Sequence, residues 1–170
     1  MSRWRPPRPP ASPYITVTGY RALEAELAAL WVRRHEVVVH LAAAAAEGDR
    51  SENAEYQYRK KELRGIDARV GYLQRRLPQL KPVGKAPADP GKVFFGASVV
   101  LEDEHGGEVH YRIVGSDEAD AGSGQISVDS PLAQQLMGKL LDDEVRLPLQ
   151  AGTAVTYCLK DIQYPAVENP

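Results

Sequence analysis

Apolar residues recur at alternating intervals of three and four positions along two stretches of the first half of the chain. The first series is Tyr20, Leu23, Leu27, Leu30, Val37, Leu41 and Ala44, interrupted by Arg34. The second series is Leu63, Ile66, Val70, Leu73, Leu77 and Leu80. Heptad spacing predicts helices whose apolar stripes pack against another helix. Since the gap between the two series allows only a tight reversal, the pattern predicts an antiparallel coiled-coil hairpin. Arms of about 29 residues would reach roughly 43 Å.

Local signals predict where these two helices begin and end. Thr18 precedes the first apolar series and is a suitable N-cap for the first helix. Gly48 is suited to end that helix, because glycine adopts the positive φ of a C′ residue at little cost. Pro78 falls inside the second series, so the second helix is expected to kink or end near it.

From Lys92 onward the apolar residues alternate with polar ones, which predicts β-strands. Ser130 followed by Pro131 matches an N-cap and first-turn pair for a short helix. The predicted strands cover residues 93–101, 109–113, 125–128, 144–149 and 153–162. The predicted fold class is therefore α+β: an N-terminal antiparallel α-helical coiled-coil hairpin, followed by a mostly antiparallel β-sheet domain with a short helix.

Composition divides the chain into predicted segments. Residues 1–13 form a Pro/Arg-rich tail that is expected to be disordered, since proline withholds backbone donors. The hairpin is predicted over residues 14–83, a linker over 84–91 within a proline-rich stretch from Pro82 to Pro90, and the sheet domain over 92–165. Residues 1–83 hold 15 Lys and Arg against 9 Asp and Glu, whereas residues 84–170 hold 6 against 14. This division suggests that the two halves face different partners.

Several protein classes are excluded by what the sequence contains. The single cysteine, Cys158, permits no internal disulfide, and no Cys/His cluster has zinc spacing. No apolar run approaches the roughly 20 residues of a membrane span, and no apolar signal region opens the chain. The sequence therefore predicts a soluble, cytoplasmic protein without a membrane partner.

Two acidic residues, Asp49 and Glu52, lie three positions apart between the two predicted helices. An Asp N-cap with Glu at N3 is a capping-box arrangement that satisfies the free N–H groups of a helix start. The same carboxylates are also hard oxygen ligands for a divalent metal ion. Capping alone requires no hairpin of this length, so the position of the pair favours a function at the tip.

The second predicted helix is strongly basic and carries tyrosines near its start. It holds seven Lys and Arg against three Asp and Glu. Tyr56 and Tyr58 beside Arg59, Lys60 and Lys61 could stack on bases while the cations meet phosphates. A run of helix-favouring basic residues is also typical of a solvated helix face. Both interpretations remain open on this pattern alone.

Several sequence segments resemble the bacterial Gre transcript-cleavage elongation factors. The tip resembles the family signature at Gly48-Asp49-Arg50-Ser51-Glu52-Asn53-Ala54-Glu55-Tyr56-Gln57-Tyr58, and Arg50-Ser51 and Tyr56-Gln57-Tyr58 are GreB-like rather than GreA-like. Further likeness occurs at Lys92-Val93-Phe94-Phe95-Gly96-Ala97, Tyr111-Arg112-Ile113-Val114-Gly115 and Asp129-Ser130-Pro131. The resemblance spans roughly residues 14–164, in order. The proline-arginine tail and Pro78 depart from the family pattern.

The resemblance implies a sheet domain of FKBP-like fold and a factor that binds RNA polymerase without being an enzyme itself. The protein is expected to be a monomer. It implies insertion of the coiled coil into the secondary channel, where Asp49 and Glu52 would help hold a Mg²⁺ ion that the polymerase site completes. Cleavage of backtracked RNA would then be the polymerase's own two-metal hydrolysis. The residues implied to contact the nascent RNA 3′ segment are Arg50, Tyr56, Arg59, Lys60, Lys61 and Arg64. Asp129, Ser130 and Pro131 match the segment that docks on the polymerase at the channel rim.

Three other functions are consistent with parts of the sequence. A secondary-channel regulator that does not promote cleavage would vary the tip acids, and both are present here. A prolyl isomerase is suggested only by the FKBP-like fold, which hosts several functions. A plain coiled-coil adaptor would leave the acidic tip unexplained. Because two exposed carboxylates are only half of a Mg²⁺ site, the free protein is not expected to hold the ion.

Overall fold

The computed structural model describes residues 10–46, 54–148 and 154–165. The chain divides into two compact units. One comprises residues 20–80, and the other comprises the chain before Tyr20 and after Leu80. Within the described residues, no helix is long and apolar enough to cross a membrane.

The helical unit is built from α1 (Val17–Ala46) and α2 (Ala54–Arg76). Its core contains Val37, Ile66 and Val70, all buried, and these pack with partly buried leucines of both helices, Leu27, Leu30 and Leu63. All six belong to the two heptad series. The predicted helical hairpin is therefore confirmed, because each apolar stripe is covered by the other.

Ion pairs between α1 and α2 flank this core. Arg34, which interrupts the first apolar series, donates from Nε to Asp67 Oδ1 at 2.6 Å. Arg69 donates from Nε and Nη2 to the two carboxylate oxygens of Glu26, at 2.6 and 2.8 Å. The hydrogen bond from Arg69 lowers the pKa of Glu26. Arg34 thus lies in the series as the partner of an acid on the facing helix, which explains the interruption.

Helix α2 ends close to Pro78, as the sequence predicts. Arg76 is its last residue, and Leu77–Gln79, which contains Pro78, forms one turn of 3-10 helix. Leu77 and Leu80 are nevertheless buried. Proline removes one helical hydrogen bond and clashes with the preceding turn, so the chain leaves the α-helix while its apolar residues stay in the core.

The other unit contains a pair of parallel strands that the sequence analysis missed. Strand β1 (Tyr14–Thr16) pairs with β2 (Lys81–Val83), and Lys81 N donates to Pro13 O at 2.8 Å. Residues 14–16 and 81–83 were both assigned to the hairpin, although Pro82 also opens the proline-rich stretch. Strands of three residues are too short to show alternation, and parallel pairing joins segments far apart in sequence.

The main sheet has five strands: β3 (Ser98–Asp103), β4 (Glu108–Val114), β5 (Gln125–Ser127), β6 (Glu144–Pro148) and β7 (Ala154–Gln163). Their order is β5-β4-β3-β7-β6. Only β4 and β5 run parallel; the other neighbours are antiparallel. The short helix α3 (Pro131–Leu136) contributes Ala133 and Leu136 to the buried core. These elements confirm the predicted α+β class.

The first predicted strand of this sheet began five residues too early. Residues 93–101 were expected to be one strand, but β3 starts at Ser98. Gly96 adopts a φ of 87° and turns the chain, and Val93 N donates to Lys139 O at 2.9 Å instead of joining the ladder. Val93 is fully buried. The apolar character of this segment therefore reflects burial in the core rather than extended pairing.

Glu118 ties the start of α1 to the turn after β4. Its Oε1 accepts from Thr16 N and Gly115 N, both at 2.8 Å, and its Oε2 accepts from the Thr16 hydroxyl at 2.6 Å. Thr16 Oγ1 in turn accepts from Gly19 N at 2.9 Å. The N-cap interaction thus belongs to Thr16, and the prediction of Thr18 was wrong. A Cβ on Gly115 would lie 2.4 Å from the carbonyl oxygen of Tyr14, so only glycine permits this approach.

Replacing Glu118 with alanine is expected to lower the free energy of unfolding by about 2 kcal/mol, because it leaves three partly buried donors without their charged acceptor. The measurement is urea unfolding of the full chain, followed by circular dichroism and tyrosine fluorescence. Glu104→Ala, in the exposed turn between β3 and β4, is the matched control and should change little. Equal stabilities of the two variants would show that the Glu118 contacts contribute nothing net.

Candidate functional site

The predicted tip residues lie outside the described residues. Asp49, Arg50 and Glu52 belong to the segment 47–53 that links α1 to α2. The structure describes the helices on both sides of this segment, from Val17 to Ala46 and from Ala54 to Arg76. The roles assigned to the three residues therefore stay predictions.

Arg59 on α2 is held by two acids of the same helix. Its Nε donates to Glu55 Oε1 at 2.7 Å, and its Nη1 donates to Glu62 Oε2 at 3.2 Å. These hydrogen bonds, above all the one to Glu55, raise the pKa of Arg59 above its ordinary value. Glu62 also accepts from Arg33 of α1 at 2.6 Å. Much of the charge of Arg59 is thus compensated within the helical unit.

Two other basic residues that were predicted to contact RNA have surroundings different from those of Arg59. Lys61 and Arg64 are exposed, and neither forms an ion pair among the described residues. The Arg64 side chain makes only a long contact, 3.4 Å, to the carbonyl oxygen of Lys60. Lys60 is also exposed and forms no ion pair among the described residues, so Lys60, Lys61 and Arg64 present the uncompensated positive charge of this part of α2.

Aromatic rings lie beside the cations at the start of α2. Lys60 Nζ is 5.8 Å from the ring centre of Tyr56, and Arg59 Cζ is 5.5 Å from that of Tyr58. Tyr58 is 61% exposed. An exposed ring next to cations can stack on a base while the cations attract phosphates, which suits a single-stranded nucleic acid.

The predicted docking segment is part of a hydrogen-bond network on the sheet unit. Asp129 Oδ2 accepts from Ser12 N at 2.8 Å and from Ser116 Oγ at 2.6 Å. Ser116 Oγ also contacts Ser127 Oγ at 2.9 Å. Ser130 Oγ accepts from Ala133 N at 3.2 Å, as the predicted N-cap of α3, and Pro131 opens that helix. The structure thus brings Asp129, Ser130 and Pro131 together at one turn.

Sequence reasoning did not find Ser12 and Ser116 as partners of Asp129. Ser12 lies 117 positions before Asp129 and belongs to the Pro/Arg-rich tail predicted over residues 1–13. No local pattern marks a backbone N–H as the donor to a distant carboxylate. Glu118 fixes β1 beside the turn after β4, and the pairing of β4 with β5 brings the segment that contains Asp129 close to that turn.

The described residues contain no group of three or more His, Cys, Asp or Glu that could hold a metal ion. Asp49 and Glu52, the predicted metal-binding pair, lie outside the described residues. Carboxylates are the oxygen ligands that Mg²⁺ prefers.

Two models of known families match this chain. The model described as "Transcription elongation factor, N-terminal" matches residues 13–81, and "Transcription elongation factor, GreA/GreB, C-term" matches residues 87–164. The chain belongs to the GreA/GreB family of transcription elongation factors. The family resemblance inferred from the tip, the strand segments and Asp129-Ser130-Pro131 is thereby confirmed.

Curated relatives extend over almost the whole chain. Transcription elongation factor GreB of Xanthomonas axonopodis is 56% identical over 169 residues, which cover 98% of this chain and 100% of the relative. Transcription elongation factor GreB of Pseudomonas aeruginosa is 55% identical over 166 residues, 97% of this chain and 98% of the relative. These relatives agree with the family models that the chain is a transcription elongation factor of the GreA/GreB family.

The solved structures that match this chain include two Gre-type factors. The transcription elongation factor GreA/GreB from Nitrosomonas europaea superposes with a TM-score of 0.42 at 19% identity, over 90% of this chain and 100% of the other. The GreA factor homolog Gfh1 of Thermus thermophilus gives 0.41 at 23% identity, over 88% and 97%.

The ion pairs of α2 lead to a prediction about nucleic-acid binding. Replacing Lys61 and Arg64 together by glutamine should weaken binding of a single-stranded oligoribonucleotide roughly tenfold at low salt and flatten its salt dependence. Arg59→Gln should have a smaller effect, because Glu55 and Glu62 already offset that charge. Fluorescence anisotropy at several salt concentrations measures both.

A matched control is Arg146→Gln, an exposed position on strand β6 of the sheet unit. It removes one positive charge without touching α2. If Arg59→Gln weakened binding as much as the double variant, compensation by the two glutamates would be the wrong explanation. If Arg146→Gln did so, the effect would be one of net charge.

Proposed function

We propose that this chain binds RNA polymerase, inserts its helical hairpin into the secondary channel and stimulates the polymerase to cleave backtracked nascent RNA. Membership of the GreA/GreB family carries this proposal, together with the acid pair placed between α1 and α2. The factor itself is not the enzyme in this mechanism. The cleaving site is the polymerase's, and the hairpin completes it.

The hairpin has the properties that delivery of two side chains into a narrow channel requires. Helix α1 contains 30 residues, so it is about 45 Å long, and the tip segment follows its last residue. Buried apolar residues and the ion pairs Arg34–Asp67 and Arg69–Glu26 join the two helices along their length. Two helices packed against each other stabilise one another, so the hairpin keeps its length better than a single isolated helix of the same length would.

At the tip, Asp49 and Glu52 would bind a Mg²⁺ ion together with the polymerase and the RNA phosphate. When bound, the ion would supply Lewis-acid chemistry for the attack of water on the phosphodiester. Asp49 and Glu52 would contribute two carboxylates that hold the ion and orient nearby water. The start of α2 favours ionised carboxylates in this region of the chain.

The basic residues of α2 support a contact with the extruded RNA 3′ segment. Lys61 and Arg64 supply uncompensated charge, and Tyr56 and Tyr58 supply rings beside cations. Such a contact would hold the RNA without reading its sequence, because phosphates and base faces are common to every nucleotide.

The turn at Asp129, Ser130 and Pro131 is proposed to dock on the polymerase at the rim of the channel. Hydrogen bonds from Ser12 and Ser116 fix the Asp129 carboxylate, and Ser130 and Pro131 fix the start of α3. A surface that is ordered before binding loses less entropy on association. Docking and chemistry are therefore assigned to separate residues.

The decisive experiment adds the protein to a stalled, backtracked elongation complex and measures RNA shortening. Asp49→Asn or Glu52→Gln should lower stimulated cleavage by at least about 100-fold, since a metal-binding carboxylate contributes several kcal/mol. Affinity for polymerase should change little. Glu47→Gln, a neighbouring acid before Gly48, is the control and should cleave normally. Normal cleavage by the Asp49 and Glu52 variants would reduce the pair to helix caps.

A second prediction separates docking from chemistry. Asp129→Asn keeps an oxygen for Ser12 and Ser116 but removes the charge, so polymerase affinity should fall roughly tenfold. Cleavage at saturating factor should return to the original rate. Glu144→Gln, an exposed acid on β6, serves as the control. Cleavage that stays low at saturation would show that Asp129 acts beyond docking.

A further inference from the structure

One face of α1, outside its contact with α2, is exposed and apolar. Its large side chains are between 38% and 63% exposed: Trp31, Val32, Val38 and Val39. At about 100° per residue, these four lie within roughly 120° of one another around the helix. The same face carries exposed alanines: Ala25, Ala28, Ala42, Ala43 and Ala46. Between residues 25 and 46, the polar residue on this face is His35.

The exposed side of α2 has a different chemistry. It carries Tyr58, Lys61 and Arg64, which suit a nucleic acid. The apolar face of α1 offers no such cations to a phosphate. A contiguous exposed patch of apolar side chains is typical of a protein–protein contact. The partner of this face should therefore present an apolar surface of its own.

Trp31 is positioned on this face before any partner binds. The guanidinium carbon of Arg34 lies 5.8 Å from the centre of the Trp31 ring. Arg34 is itself held by Asp67 of α2 at 2.6 Å. Tryptophan is among the residues that most often dominate the binding energy of a protein–protein contact. A ring that already lies against a cation loses less conformational freedom when it binds.

The apolar face is complementary to a second copy of itself. If two α1 helices pack antiparallel with their centres near His35, Trp31 of one copy lies near Val38 and Val39 of the other. Ala28 then lies near Ala42 of the second copy, and such small side chains let the helices approach closely.

The charges at the edge of the face fit the same arrangement. Antiparallel packing brings the same edge of both helices together, so Arg33 of one copy lies near Glu36 of the other. Within one chain, Glu36 contacts Arg33 at 3.1 Å and its side chain remains 51% exposed. Its carboxylate can therefore accept from a second arginine, and opposite charges meet across the edge.

The size of the face predicts a weak association. From Ala25 to Ala46 it extends about 32 Å along α1, and a contact between two helices is about 10 Å wide. A standard stable interface buries about 800 Å² of each partner, which is more than this face provides. The pair should therefore form at micromolar or higher concentration and dissociate on dilution, which leaves the expected monomer.

We propose that α1 packs antiparallel against α1 of a second copy of this chain, through Trp31, Val32, Val38 and Val39. Two hairpins together are thicker than one, so this dimer would compete with insertion into the polymerase channel. That consequence rests on the proposed function. The association itself is measured without polymerase, so the two proposals can fail separately.

The test is analytical ultracentrifugation of the full chain from micromolar to near-millimolar concentration. The average mass should rise from that of a monomer toward that of a dimer. Val32→Glu and Val39→Glu should each weaken the association roughly tenfold or more, because each places a charge in an apolar contact. Gly65→Glu on α2 is the matched control and should associate like the original chain, since a Cβ there meets no atom within 4 Å.

Two further measurements locate the contact. In a Trp4→Phe chain labelled with fluorotryptophan, Trp31 is the remaining tryptophan. Its ¹⁹F resonance should shift with the same concentration dependence as the mass. In a Cys158→Ser background, chains with Ala28→Cys should form a disulfide with chains carrying Ala42→Cys, and neither should do so with itself.

A chain that stays monomeric at near-millimolar concentration would overturn the proposal. So would a dimer that Val32→Glu and Val39→Glu leave unchanged, or one that Gly65→Glu weakens equally. If a glutamate variant does not fold by circular dichroism, the mass and the Trp31 resonance of the original chain still decide. A monomer whose affinity for polymerase falls tenfold with Val39→Glu would assign the face to the polymerase instead.

Discussion

The carboxylate of Glu118 is the contact on which the assembly of the sheet unit depends most. It accepts hydrogen bonds from Thr16 N, the Thr16 hydroxyl and Gly115 N, and so joins two segments that are far apart in the sequence, residues 14–16 and 115–118. One charged acceptor with three donors is stronger than three neutral hydrogen bonds made separately. It fixes β1 beside the turn after β4, and it sets the residue at which α1 begins. The Asp129 network lies on the same unit and uses the same device, a carboxylate that binds a backbone N–H from the N-terminal segment.

Some basic residues of the hairpin form ion pairs within it, and others remain available to a partner. A count of charged residues does not distinguish these two groups. Arg34 and Arg69 form ion pairs between the helices, and Arg59 forms an ion pair with an acid of its own helix. Exposed pairs of this kind add little to stability singly, but they fix which side chains remain available to a partner. Lys60, Lys61 and Arg64 form no ion pair among the described residues and remain available near the start of α2. A basic helix can therefore be mostly structural and still keep a small binding surface.

Much of the fold, and little of the site, could be predicted from the sequence by itself. The heptad series determined the hairpin, because a helical stripe of apolar residues needs only a facing stripe to be buried. Pro78 determined where α2 ends, since the loss of a donor and the clash of its ring are local effects. The pair Ser130 and Pro131 determined the start of α3 for the same reason. The family could also be inferred from short segments, since their residues are contiguous.

Only the tertiary structure decided which side chains meet across long stretches of chain. Thr16, rather than Thr18, caps α1 because Glu118 and Gly19 N meet its hydroxyl, and no local pattern contains Glu118. The apolar segment at Val93 is a buried connection rather than a strand, because Gly96 turns the chain there. Arg112 looks like any polar residue of an alternating strand, and only the folded sheet shows that its Nε is buried with no acceptor among the described residues. Periodicity reports which face of an element is buried, whereas the partner on that face depends on contacts that local sequence does not encode.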